Sequence, residues 1–135
     1  MSLSKTIKLT VQDYDISLSS KLKFFRGDKL KLCFEITEIG VVYNNSGTVA
    51  SREVIPVLPT DGELYFEDPD LNDSIGAVSI VDNQIVFIVD SVYTQKVGTS
   101  RMQIVLKDED GCRVALPPFE FEVRDIIFED YNFSW

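Results

Sequence analysis

The feature that most constrains the fold is a hydrophobic side chain at every second position, in short runs separated by turn residues. In the run 119–124, two phenylalanines and a valine alternate with two glutamates and an arginine. A strand that buries one face repeats every second residue, whereas a helix repeats every three or four. Gly, Asn, Asp or Pro interrupts the runs at intervals of about eight to twelve residues. This pattern predicts an all-β fold, either a β-sandwich or a barrel.

The alternating runs place apolar side chains on one face and polar side chains on the other. They predict strands at residues 6–11, 22–25, 30–36, 64–66, 77–81, 85–89, 101–107, 112–116 and 119–124. Residues 82–84 and 108–111 each join two runs, which predicts hairpins there. Residues 91–95 break the alternation before Gly98 and predict one short helical turn. Residues 54–58 contain Pro56, which cannot donate to a ladder, so they predict an edge strand or a loop.

The chain is long enough for one domain with its own core. It has 135 residues, 44% of them hydrophobic, and no linker or internal repeat divides it, so we expect one domain over 1–135. Its last ten residues, 126–135, are rich in aromatic side chains and predict a C-terminal tail or the start of a connector. This tail either packs on the domain or contacts a neighbouring subunit or a downstream segment. The candidate partner-binding residues are Phe128, Tyr131, Phe133 and Trp135.

The charge of the chain argues against two classes of partner. A formal net charge of −9 repels phosphate backbones and anionic lipid headgroups, so we expect neither nucleic acid nor a membrane as partner. No apolar run approaches the roughly 18 to 20 residues that span a bilayer. The first residues lack the pattern of a signal peptide, which favours synthesis in a cytoplasm.

The residues available for chemistry are few. The chain has no histidine, which removes the common nucleophile–histidine schemes and the usual zinc ligand sets. Residues 68–72 begin like a calcium loop, but Asp73 and Ser79 stand where that loop needs glycine and glutamate. Cys33 has the outward parity of its run, so we expect Cys33 and Cys112 to be free thiols. We therefore predict no enzyme, no cofactor and no metal.

Several segments, in order, resemble one known family. Residues 25–36, with Arg26-Gly27-Asp28 followed by alternating Leu30, Leu32, Phe34 and Ile36, are similar to an early strand pair of the N-terminal domain of phage baseplate upper proteins. Residues 62–66 resemble the central strand of that domain, 93–99 and 102–111 its closing hairpin, and 119–124 its last strand. The resemblance covers most of the chain from residue 21 to residue 125 but not residues 40–58.

The resemblance implies an immunoglobulin-like antiparallel β-sandwich in the tail baseplate of a phage that infects Gram-positive bacteria. It implies a virion structural protein that is made in the host cytoplasm, binds other baseplate proteins or copies of itself, and supports host attachment. The alternative from another class is a carbohydrate-binding module of a host-adhesion apparatus, in which Tyr43 or Trp135 would stack on sugar rings.

Overall fold

The computed structural model describes residues 3–12, 15–43, 49–72 and 77–126. Within these ranges almost all regular structure is β, as the sequence predicted. The strands are β1 (Ser4–Gln12), β2 (Asp15–Leu18), β3 (Leu22–Phe25), β4 (Leu30–Tyr43), β5 (Val49–Val54), β6 (Asp61–Phe66), β7 (Ala77–Val81), β8 (Gln84–Val89), β9 (Gly98–Lys107), β10 (Arg113–Ala115) and β11 (Phe119–Arg124). The helices are α1 (Pro69–Asn72) and a 3-10 helix, Ser91–Thr94, where a helical turn was predicted.

The strands form one mixed sheet that is nearly closed into a barrel, and the predicted immunoglobulin-like two-sheet sandwich is wrong. Nine strands follow one path in the order β2-β1-β4-β8-β7-β6-β9-β11-β3, while β5 pairs with β4 and β10 with β9. The predicted purely antiparallel arrangement is also wrong, because β1 runs parallel to β4 and β3 runs parallel to β11. Alternation shows that each strand buries one face, but a curled sheet satisfies it as well as two stacked sheets do.

The sheet curls almost shut because one stretch of chain changes its pairing partner. Strand β2 pairs with β1, and after a three-residue bend β3 pairs with β11 at the far end of the path. At the bend, the Ser19 amide donates to the Lys8 carbonyl at 2.9 Å, and the Ser19 hydroxyl accepts from the Lys8 amide at 3.0 Å. Beyond the bend, Lys5 Nζ donates to the Lys23 carbonyl at 2.8 Å. A lysine side chain thus bridges β1 and β3 where the backbones do not pair.

A single apolar core fills the inside of this curled sheet. Its fully buried members alternate along the strands as the sequence predicted, and the largest of them are Phe34, Phe87, Ile7, Leu9, Leu32, Leu64, Ile85 and Ile104. Rings of Phe66 and Tyr93 stack with centroids 4.8 Å apart, and Phe87 lies 5.4 Å from Tyr93. Aromatic pairs at these distances add to the stabilisation that burial provides.

The 3-10 helix is fixed to the turn between β3 and β4. The buried Thr94 hydroxyl donates to the Asp28 carbonyl at 2.9 Å, and the Gly27 amide donates to the Thr94 carbonyl at 3.1 Å. Gly27 has a φ of +88°, which explains glycine at this position of the turn. These bonds hold Tyr93 over the core.

Strand β4 extends beyond the barrel. Its first part pairs with β1 and β8, whereas residues 38–43 pair with β5. Residues 38–43 and β5 form a two-stranded extension, which we call the hairpin arm. Residues 55–60 connect the arm to β6. On the way they pass the turn between β7 and β8, where Pro56 accepts a hydrogen bond from Asn83.

Both cysteines are free, as the sequence predicted. Cys33 is buried on β4 and Cys112 is exposed before β10. Among the described residues no helix is long and apolar enough to cross a membrane.

Candidate functional site

The four aromatic residues predicted to bind a partner, Phe128, Tyr131, Phe133 and Trp135, lie outside the described residues, which end at Ile126. The structure shows where the last described strand ends. The Arg26 amide donates to the Arg124 carbonyl at 2.8 Å. The last strand therefore ends beside the turn that joins β3 to β4.

The predicted edge strand or loop, residues 54–58, is the end of β5 followed by an extended segment. Ile55 is 74% exposed and Val57 is 94% exposed, while Pro56 and Leu58 are half-buried. Leu58 packs against the core. The segment thus turns one apolar face inward and presents two β-branched side chains to solvent. We call residues 55–58 the clamped segment.

The side chain of Asn83 holds this segment. Its Oδ1 accepts from the Leu58 amide at 2.8 Å, and its Nδ2 donates to the Pro56 carbonyl at 2.9 Å. Asn83 is able to do so because the β7–β8 turn gives it and Asp82 positive φ angles of 59° and 50°, the conformation of a two-residue hairpin turn. The side-chain amide of Asn83 therefore makes the hydrogen bonds to the backbone of this segment that a neighbouring strand would otherwise make.

A concave acidic surface adjoins the clamped segment. It has a volume of about 680 Å³, and its lining includes the outer faces of β1 and β4, the end of β5 and the β7–β8 turn. Its charged side chains are Glu35, Glu53, Asp82 and Lys8. Three acids and one lysine favour a partner that carries positive charge at this point.

Acidic side chains elsewhere are used in ion pairs and turns. Lys107 and Tyr65 donate to the Glu63 carboxylate, and these hydrogen bonds lower the pKa of Glu63. The same bond to Glu63 raises the pKa of Tyr65. Arg101 donates to Glu67 at 2.6 Å, which lowers the pKa of that carboxyl. Lys107 and Arg101 of β9 thus pair with acidic residues on or next to the adjacent strand β6, while Tyr65 and Glu63 lie on the same strand.

The segment that begins like a calcium loop, residues 68–72, consists of Asp68 and the whole of α1. Asp68 Oδ1 accepts from the Asp70 amide at 3.1 Å, and Asp68 Oδ2 accepts from Lys96 Nζ at 3.0 Å. The lysine bond, followed by the amide bond, lowers the pKa of Asp68. In the part of the chain that the structure describes, no three potential metal ligands come together.

The tyrosine rings described here do not form a sugar-stacking platform. Tyr93 is buried, and the half-buried Tyr65 donates its hydroxyl to Glu63. Trp135 and the side chain of Tyr43, which the carbohydrate-binding alternative requires, fall outside the residues described.

Sequence reasoning missed two features that bear on binding. It predicted an edge at residues 54–58 but not the clamp, because nothing in the sequence links Asn83 to a segment 25 residues earlier. It also missed β2, whose four residues 15–18 alternate but form too short a run to stand out. Pro117 and Pro118 were a signal that pairing on one side of β11 begins late.

Comparison of the sequence with models of known protein families and with curated proteins gave no match.

Proposed function

We propose that this chain is a protein-binding module of a phage tail baseplate and that it acts without catalysing a reaction. The observation that carries the proposal is the clamped segment, where Val57 and Ile55 are held out into solvent. Exposed apolar side chains that gather at one place are typical of binding surfaces.

The clamp favours binding because it fixes the segment before a partner arrives. A loop that must become ordered on binding loses conformational entropy, which weakens the complex. The segment makes two hydrogen bonds with the Asn83 side chain. Together with the restricted backbone of Pro56 and Pro59, they remove much of this conformational freedom before a partner binds. The two apolar side chains can then act as anchors, with the acidic concave surface beside them.

The partner that suits this surface has an apolar pocket or patch with basic side chains at its rim. Glu35, Glu53 and Asp82 lie beside Ile55 in the concave surface. The net charge of −9 extends this preference to the whole molecule. Complementary charge speeds association and excludes other acidic proteins.

The baseplate setting is supported by the sequence motifs alone. The similar segments at residues 25–36, 62–66, 93–111 and 119–124 carry it, while the sandwich that the resemblance implied is replaced by a curled single sheet. In this setting the chain resides in the virion and links other baseplate proteins that carry basic side chains at the contact.

The test is a charge placed on the most exposed anchor. Val57→Asp should weaken binding to the proteins encoded beside this chain among the tail genes by at least tenfold, because a carboxylate cannot enter an apolar contact without desolvation. Affinity is measured by calorimetry on the purified proteins. The matched control is Val114→Asp, the same change at a valine on β10 that is 59% exposed.

The control variant should bind like the wild type. The proposal fails if both variants bind equally well, or if none of the neighbouring tail proteins binds the wild-type chain.

A further inference from the structure

The barrel wall is split between β2 and β11. Strand β3 pairs with β11 at residues 121–124, but β2 lies beyond the bend and, among the described strands, pairs with β1 alone. Upstream of Phe121, one side of β11 therefore faces β2 without a ladder between them. The gap is a groove of about 630 Å³.

The outer edge of β2 turns unpaired backbone groups into this groove. Along a strand, the amide and carbonyl of successive residues point to opposite sides. The Ser19 amide donates to Lys8 on β1, so odd-numbered residues of this stretch point to β1. Ile16 and Leu18 consequently point their amides and carbonyls away from β1 and into the groove.

The opposite wall offers fewer groups. The Arg124 carbonyl accepts from the Arg26 amide, so even-numbered residues of β11 point towards β3 and the groove. Glu120 has the same parity as Arg124, and Pro118, the next residue of that parity, has no amide to donate. Strand addition in this groove therefore depends mainly on β2.

The groove has an apolar floor and a rim of balanced charge. Ile16 and Leu18 are half-buried against the core, and Leu22, Phe119 and Phe121 are buried. The charged side chains that line the groove are Lys21, Lys23, Glu120 and Glu122. A strand with an apolar residue at every second position matches such a floor.

We propose that an extended segment of a different protein, neutral or basic in net charge, binds in this groove as an added strand on β2. The inference rests on the proposed function, since it names a second way in which the module binds proteins. Unpaired strand edges bind partner strands through backbone hydrogen bonds. A second copy is disfavoured as the occupant because two chains of charge −9 repel each other.

The probe is a synthetic peptide with blocked ends that carries the sequence of β1, residues 4–12. This sequence pairs with β2 in the fold, has two lysines and no acidic residue, and alternates Ile7, Leu9 and Val11 with polar residues. Amide hydrogen exchange followed by NMR should show new protection at Ile16 and Leu18. The Ser17 amide, which has the parity that faces β1, should not change.

Two N-methylated forms of the peptide distinguish binding through backbone hydrogen bonds from binding through hydrophobic contact alone. One form carries methyl groups on the amides of Ile7, Leu9 and Val11, the other on those of Lys8 and Thr10. The form whose methyl groups face β2 should bind at least tenfold more weakly than the unmodified peptide. The form whose methyl groups face β11, where few backbone groups are available, should bind nearly as well. Equal loss in both forms, or no protection of Ile16 and Leu18, would overturn the inference.

A second copy as the occupant has its own signature. Protection of Ile16 and Leu18 that rises with protein concentration in the absence of peptide would overturn the choice of a different protein. Val57→Asp changes the other surface and should leave peptide binding unchanged. If the peptide does not protect Ile16 and Leu18 while Val57→Asp still weakens partner binding, this inference is wrong and the proposed function is unaffected.

Discussion

Strand β8 and the clamped segment are both apolar runs, yet they place their side chains in opposite environments. Strand β8 pairs with β4 and β7 and buries Ile85, Phe87 and Val89 in the core. The clamped segment makes two hydrogen bonds with the side chain of Asn83, packs Leu58 against the core, and exposes Ile55 and Val57. Pairing on both sides places alternate side chains of β8 inside the barrel, whereas the clamped segment lies outside this ladder and leaves two of its side chains in solvent.

The largest expected effect is in the barrel. Phe87→Ala should lower the free energy of unfolding by about 3 to 5 kcal/mol, because Phe87 is 1% exposed and its removal leaves a cavity beside Phe66 and Tyr93. Urea denaturation measures the change. The matched control is Ile88→Ala on the same strand, which is half-exposed and should cost no more than about 1 kcal/mol.

If Phe87→Ala and Ile88→Ala lower stability equally, the contrast between buried and exposed faces of β8 is wrong. Val57→Ala should leave the unfolding midpoint nearly unchanged because Val57 lies in solvent. A clear loss of stability in this variant would contradict the contrast between buried and exposed side chains.

A smaller effect is expected at the clamp. Asn83→Gly removes both hydrogen bonds to the clamped segment, while glycine adopts the positive φ of this position without strain. Stability should fall by about 1 kcal/mol, and exchange of the Leu58 amide should speed up at least tenfold. Hydrogen exchange by NMR gives the second value residue by residue.

The control for the clamp is Asp82→Gly, at the other position of the same turn with positive φ. It relieves the same kind of backbone constraint but leaves Asn83 in place, so the Leu58 amide should exchange as in the wild type. Faster exchange in both variants would mean that the turn, and not the Asn83 side chain, holds the segment.

The smallest effect concerns the ion pairs on the outer face. Lys107, followed by Tyr65, lowers the pKa of Glu63 below its usual 4.5 in the folded protein. A carboxyl with a lower pKa folded than unfolded stabilises the fold above the unfolded value, and this contribution is lost as the pH falls through the folded value. The wild type should therefore lose stability more steeply than Glu63→Gln below pH 4.5.

Urea midpoints measured from neutral pH to about pH 3 test this difference, which solvent screening keeps small. Glu109→Gln, at an exposed glutamate in the β9–β10 turn, is the control and should follow the wild type. A Glu63→Gln variant whose stability falls with acid as steeply as that of the wild type would show that the Glu63–Lys107 pair contributes nothing measurable to stability.

Much of the local structure could be predicted from the sequence. The hairpin at Asp82 and Asn83 forms because two adjacent runs and a two-residue turn determine it locally. The 3-10 helix forms where alternation stops. The candidate site was predicted only as an unpaired edge at residues 54–58, because the two contacts that shape it come from a turn far along the chain.

Alternation along the chain was enough to predict a fold built of strands and the core-facing residues of the predicted strands, and the composition leaves no imidazole for chemistry. The joining of these strands in one curled sheet, the pairing of β2 and β3 at opposite ends of it, and the groove between β2 and β11 could be seen only in the folded chain. The reason is the distance along the chain between the residues that determine each property. Alternation is a property of neighbouring residues, whereas strand order depends on long-range backbone pairing that many sequences with the same period satisfy differently.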